Sequence, residues 1–379
     1  MIFSRRSLLT CGSVLVIAMV AACVYLAVPS SASSPAIMPL DITTVASSLH
    51  NPRGLNFGPD GGLYVAEAAG NGTPSSHCGV MSDGNTRCSA NTASITRIDL
   101  GTGTVERIIS GLPSLIPPNG IAAGATGVHD VSFQGMGNAY VTIGMGLDPT
   151  LRSDHFGAAG QNYARLARFN PSGKFRLYED LGAYEAATNP DAGFLDTNPY
   201  GVLALPGKVV YTDAGGNSLN QVTANGTIST LAAFARVNRP GVPPSVQAVP
   251  TSVALGPDGN YYVGVLTGGP FTVGIASVYR VPVEGGTPEV AYTGFTNIID
   301  VAFGSDGSLY VLEIARNAIP NFGAGGRLVR IAPDGTRTDI VSGPPLIAPG
   351  GVAVGSDGAL YVTNMSTSPT DGSVLRIVP

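Results

Sequence analysis

GLNFGPDGGLYVAEA (54–68) is the phrase that decides the fold. Gly54-Leu55-Asn56-Phe57 reads as a strand. Pro59-Asp60-Gly61 is a tight turn in which Gly takes a positive φ that other residues adopt only at a cost. Leu63-Tyr64-Val65 then returns antiparallel to the first strand. The phrase recurs as SVALGPDGNYYVGVL (252–266), DVAFGSDGSLYVLEI (300–314) and GVAVGSDGALYVTNM (351–365), and in weaker form as DVSFQGMGNAYVTIG (130–144) and GVLALPGKVVYTDAG (201–215). The turn aspartates Asp258, Asp306 and Asp357 are 48 and 51 residues apart, a period expected of propeller blades or related arrays.

A second hairpin follows each copy, at 94–110, 165–179, 220–234, 277–292 and 327–342. Each unit is therefore four strands. One such sheet cannot bury both faces alone, whereas radial stacking of copies covers them. Counting units gives six, and the last, 350–379, stops after its third strand, Val374 to Val378. Asp41 to Ala46 has no local partner. The expectation is an all-β, six-bladed β-propeller with four antiparallel strands per blade, closed by that N-terminal strand pairing into the last blade. An open ring would leave two exposed sheet edges.

Composition agrees. Gly (51) and Pro (29) exceed a fifth of the 379 residues while 44% are hydrophobic, which suits many short strands and tight turns. Charged residues are 12% with a net balance of −5, and no Lys/Arg stripe offers a footprint for nucleic acid. At the N-terminus, Arg5 and Arg6 precede an apolar run from Leu8 to Val28 and a small-x-small site at Ser30-x-Ala32. Three readings stay open: a secretory signal cleaved near Ala32, an uncleaved membrane anchor, and a lipidated Cys23 after Val20-Ala21-Ala22. All place the folded part outside the cytoplasm, so residues 1–32 are read as signal or anchor, 33–40 as linker and 41–379 as propeller. Cys78 and Cys88 lie ten residues apart in SSHCGVMSDGNTRCSAN (75–91) and are expected to form a disulfide in an oxidising compartment. Adding His77 still leaves the set short of four zinc ligands.

Aligning the six copies puts Glu67, Ile143, Asp213, Val265, Glu313 and Asn364 in one column at the end of the second strand. Glu67, Asp213, Glu313 and Asn364 would suit Ca²⁺ or Mg²⁺ if they converged. The alternative is that each accepts hydrogen bonds from nearby loop amides. A second column, Arg53, His129, Tyr200, Thr251, Ile299 and Gly350, precedes the first strand, with Asp130 and Asp300 one step on. Arg53, His129, Tyr200 and Asp300 are expected to line the central channel. His129 and Asp130, being adjacent in a strand, should face opposite ways. There is no GxSxG elbow, HExxH helix or P-loop, so no catalytic set is assigned.

The phrases NPRGLNFGPDGGLYVAEA (51–68) and NPYGVLALPGKVVYTDAGGNSLNQV (198–222), with the signal and closing-strand layout, resemble the ScyD/ScyE family of secreted propellers across 41–379. The resemblance implies an exported six-bladed propeller, in a family named for proteins associated with scytonemin pigment biosynthesis, and no established catalytic residues. Two functions are expected to compete. The first is an extracytoplasmic, monomeric binding or scaffold protein holding a small molecule or protein at its loop-rich mouth. The second is a metal-assisted hydrolase or lactonase similar to gluconolactonase-type propellers. A weaker third, a strictosidine-synthase-like condensation, would need Glu67 or Glu313.

Overall fold

The computed structural model describes residues 40–170, 172–238, 241 and 244–379. The signal or anchor read at 1–32, and the linker up to residue 39, lie outside the described residues.

The recurring phrase folds for a local reason. In four copies the turn Asp accepts, through Oδ1, the backbone N–H two residues on: Gly62, Asn260, Ser308 and Ala359, at 2.9–3.2 Å. The intervening glycines, Gly61, Gly259, Gly307 and Gly358, take φ of +76° to +79°. The outer carboxylate oxygen receives an arginine from the third strand, pairing Asp60 with Arg97, Asp258 with Arg280, Asp306 with Arg330 and Asp357 with Arg376 at 2.7–2.8 Å. Tyr64, Tyr262 and Tyr361 also donate to Asp60, Asp258 and Asp357. Such half-exposed pairs, screened by water, add little to stability. Their consequence is register, because each ties the first turn to the third strand. Arg330, then the Ser308 amide, hold Asp306 down at about 2.

The described residues form six antiparallel sheets. Blade one runs Pro52–Phe57, Leu63–Glu67, Thr86–Asp99 and Thr104–Ile116 from the axis outward, with Cys78–Val80 added as a short hairpin on the third strand. Blades two to five begin at Val128–Gln134, Pro199–Leu205, Pro250–Leu255 and Ile298–Phe303 and follow the same order. In blade six, Gly351–Val354, Leu360–Asn364 and Gly372–Val378 are completed by Asp41–Leu49, with Asp41 opposite Val378 and Leu49 opposite Gly372. The Cys78–Cys88 disulfide is present and closes the added hairpin.

Repeat counting passes over two helical insertions. Leu181–Thr188 is an α-helix capped by Asp180, whose side chain accepts from Ala183. The segment LGAYEAAT, outside the repeated hairpins, is rich in helix formers. Short helical turns at Pro149–Leu151, Arg152–Phe156 and Gly157–Asn162 fill the loop between the second and third strands of blade two.

Packing shows why the ring closes. Six apolar clusters sit one at each blade junction. Tyr64, Ile95, Val131 and Phe169 join blades one and two, and Leu166, Val202, Tyr211 and Val222 join two and three. Leu219, Leu231, Val253 and Val263 join three and four, and Val278, Phe295, Val301 and Val329 join four and five. Leu312, Leu328, Val352 and Leu375 join five and six. Leu49, Leu55, Val65, Ile98 and Val374 join six back to one. Leu49 is 1% exposed, so Leu49→Ala should cost about 3 kcal/mol of unfolding free energy by denaturant titration. A loss below about 1 kcal/mol would mean that the N-terminal strand adds little to closure.

Candidate functional site: the central channel and its mouth

Each inner strand runs from the loop-rich end of the ring toward the tight-turn end. In five blades the pairing with the second strand slips near the strand's start, at Arg53, His129, Tyr200, Thr251 and Ile299. Such bulges re-aim a side chain. Arg53, His129 and Tyr200, from three consecutive blades, are buried together. The His129 and Tyr200 rings lie 4.4 Å apart at 32°. His129 Nδ1 contacts the Pro199 carbonyl at 3.0 Å, and Arg53 donates to the Ala125 carbonyl at 2.9 Å. Burial, reinforced by the Arg53 charge, pushes His129 down to about 3, so it stays neutral. Arg53 bonds neither Asp300 nor Glu67.

One residue further along, Asp130 and Asp300 come from blades two and five, on opposite sides of a six-fold ring. Both line a channel cavity of about 310 Å³. Each carboxylate staples two blades: Asp130 accepts from Val131 and Val202, and Asp300 from Val301 and Val352, all at 2.8 Å. Idealised addition of a Cβ at Gly54 meets Asp130 Oδ1 at 2.0 Å, so that glycine leaves the space the carboxylate occupies. Burial and the facing Asp300 hold Asp130 well above the usual carboxylate range, and burial pushes Asp300 up to about 7. His129 and Asp130 bond to different groups of blade three and not to each other.

The column at the end of the second strand does not converge. Glu67 accepts from Arg107, Thr96 and the His50 amide. Asp213 accepts from the Asn198, Gly215 and Gly216 amides and the Thr197 hydroxyl. Glu313 accepts from the Thr296 amide, and Asn364 from Ile347. Each is spent within its own blade or the loop leading to it. Among the described residues no group of three His, Cys, Asp or Glu could hold a metal ion.

A cavity of about 480 Å³ opens at the loop-rich end, over blades one to four. The disulfide-closed hairpin contributes Met81, Ser82, Asp83 and Arg87, and blade two contributes Met145 and Gly146. Blade three supplies Asp196, Asn198, Ala214 and Gly215, while blade four supplies Gln247, Leu266, Thr267 and Phe271. Two polar atoms here are buried without a hydrogen-bond partner, Asp196 Oδ1 and Thr267 Oγ1, on residues 9% and 0% exposed. Thr267 and Phe271 also hold positive φ, +67° and +56°. For a β-branched and a bulky residue that is strain, which structures retain where the surroundings over-determine it. Burial is the main cause that lifts Asp196 to about 6. A larger depression of about 1060 Å³ lies at the tight-turn end, but its charged pair, Asp357 and Arg376, is already joined at 2.7 Å. Arg53 Nε and Tyr200 Oη in the channel are also buried without a partner, but at the mouth the unpartnered atoms belong to residues lining an open cavity of ligand size.

Sequence reasoning placed the mouth and missed its key residues. Asp196 and Thr267 to Phe271 lie outside the copies of the repeat and match no motif. The signal available was Gly268-Gly269-Pro270 after an inner hairpin, a cluster of chain-bending residues.

No family model and no curated protein matches the chain. Among solved structures it is similar to a protein of unknown function from Bacteroides thetaiotaomicron, with TM-score 0.54 and 10% identity over 89% of this chain and 76% of that one. It is also similar to a gluconolactonase from Xanthomonas campestris, with TM-score 0.52 and 10% identity over 89% and 90%. A virginiamycin B lyase from Staphylococcus aureus aligns with TM-score 0.47 and 13% identity over 90% and 99%. The likeness is one of fold, the six-bladed β-propeller.

The buried acids set a pH dependence. Asp300 and Glu313, both near 7, and Glu185, near 8, keep protons in the folded chain that an unfolded chain releases near pH 4. The folded state then binds more protons, so stability falls as pH rises through 7. His129 acts oppositely but only below about pH 6.5, where the unfolded imidazole takes up a proton. The midpoint of thermal unfolding should therefore drop by several degrees between pH 6.5 and 8, and Asp300→Asn should flatten the slope. A midpoint that rises over that interval would contradict the channel's electrostatics.

Proposed function

We propose that this chain is an extracytoplasmic binding protein that holds a small molecule in the mouth of its propeller. The observation that carries the reading is the mouth cavity itself. Its volume falls in the range of small-ligand pockets, its walls set methionine, leucine, valine and phenylalanine beside polar groups, and two of those groups are buried without a partner. An unsatisfied buried polar atom costs about 1–3 kcal/mol, which a bound ligand can recover.

The disulfide fits an oxidising compartment outside the cytoplasm, and the signal-like N-terminus supports export. The resemblance to the ScyD/ScyE family points the same way. Its more specific phrase, 198–222, contains Asn198, Ala214 and Gly215 of the mouth and Asp213, which shapes the turn behind them. A metal-assisted lactonase needs its oxygen donors at one point, and the donors considered for it are bonded elsewhere in four separate blades.

The test is a thermal-shift screen of small molecules against the wild-type chain and Leu266→Trp, which fills the cavity from blade four. Compounds that stabilise the wild type should lose their effect in the variant. Hits that stabilise both equally would place binding elsewhere, and steady turnover of lactones or esters would replace a binding role with an enzymatic one.

A further inference from the structure

The charge inventory of the mouth is unequal. Arg87 binds Asp83 through both guanidinium nitrogens, at 3.1 and 2.8 Å, and leans on the Gly124 carbonyl, so this pair cancels. Asp196 is then the remaining charged group among the described residues lining the cavity. The titratable groups facing it are all acids, and none is a cation. Asp213 stands behind it on the blade-three turn, Asp148 on the blade-two insertion, and Glu185 on the helix Leu181–Thr188 interacts with both Asp196 and Asp213. Ser82 of the hairpin and the Thr197 amide approach the Asp196 carboxyl, yet Oδ1 has no partner.

Resting on the reading of the mouth as a binding site, we propose that it takes an organic cation, a protonated amine on an apolar frame. The ammonium donates to Asp196 Oδ1 and Thr267 Oγ1, and the frame lies against Met81, Met145, Leu266 and Phe271. An anion would meet the uncompensated Asp196 carboxylate. A neutral donor would satisfy Oδ1 and leave the buried charge standing, whereas an ammonium does both. The aromatic face of Phe271 and the polarisable methionine sulfurs favour a cation over a neutral head group. A bare metal ion would want six or more oxygens, and among the described residues no group of three acidic, His or Cys side chains could hold one.

Calorimetric titration of the full chain with 2-phenylethylamine, 2-phenylethanol and 3-phenylpropanoate separates these cases. At pH 7 the amine should bind at least tenfold tighter than the alcohol, as an ammonium–carboxylate bond exceeds a neutral one by roughly 1.4 kcal/mol or more. The carboxylate should bind weakest. Moving to pH 5, where a carboxyl titrating near 6 is about one-tenth ionised, should weaken the amine about tenfold and leave the alcohol unchanged. Glu185 titrates above this interval. Asp196→Asn should erase both the charge preference and the pH dependence. If that variant fails to fold, the three-probe comparison on the wild type decides.

Alcohol binding as tight as amine binding, or amine binding indifferent to pH and to Asp196→Asn, overturns the cation assignment. The mouth reading survives that result if Leu266→Trp still abolishes binding, and falls with it if Leu266→Trp changes nothing. Failure of all three probes to bind at millimolar concentration also overturns the assignment.

Discussion

A four-stranded sheet with apolar side chains on both faces has to cover both, and among the described residues no helix is long enough to do so. Another copy of the same sheet on each side meets the need, and repetition stops when the last copy meets the first. The six junction clusters are the physical content of that closure, and the sixth is built partly by residues from both ends of the described chain. Ala46 and Leu49 reach Val374 and then Leu55 and Ile98, so the closing strand is part of a core rather than a decoration on an edge. Burial of this kind is worth about 25 cal/mol per Å² of apolar surface, far more than the surface ion pairs that recur at each turn.

Closure has a consequence at the axis. Six inner strands are brought together with their starts crowded, and polar groups there must find partners in the next blade. Side chains do this at every junction. Arg53 reaches Ala125, Asp130 reaches Val202, Asn217 receives Val249, Thr251 reaches Ile298, Asp300 receives Val352, and Thr363 reaches the Arg53 carbonyl. Two of these staples are carboxylates facing each other across the channel, so the axis favours protons over free charge. The axis is thereby a structural element that absorbs Asp130 and Asp300, while Glu67, Asp213 and Glu313 are bonded within their own blades or the loops leading to them.

The loop-rich end is built differently. Its loops enter from blades one to four, include a disulfide-closed hairpin and helical insertions, and owe their course to the rigid ring beneath them. Two buried polar atoms there lack partners, and Val249, Thr267 and Phe271 keep positive φ at a cost. The rigid ring can bear strain and unsatisfied groups at the mouth, a division of labour common to scaffolds that present functional loops.

The sequence by itself determined the blade, the count of six, the antiparallel order and the bridge between Cys78 and Cys88. Those follow from local rules: turn glycines, alternation in strands, and a period near 50 residues. It also put Asp130 and Asp300 in the second and fifth units, one step beyond a column of channel candidates, but did not show that each carboxylate bonds an amide of the next blade. What only the tertiary structure decided is where side chains end. Glu67, Asp213, Glu313 and Asn364 share a column in the alignment yet point to separate partners, because equivalent positions around a ring stand a blade apart. Asp196 and Thr267 share nothing in sequence and meet at one cavity, because loops of different blades lean over the same mouth. Repeat period encodes the frame, and the folding of irregular loops onto that frame sets the site.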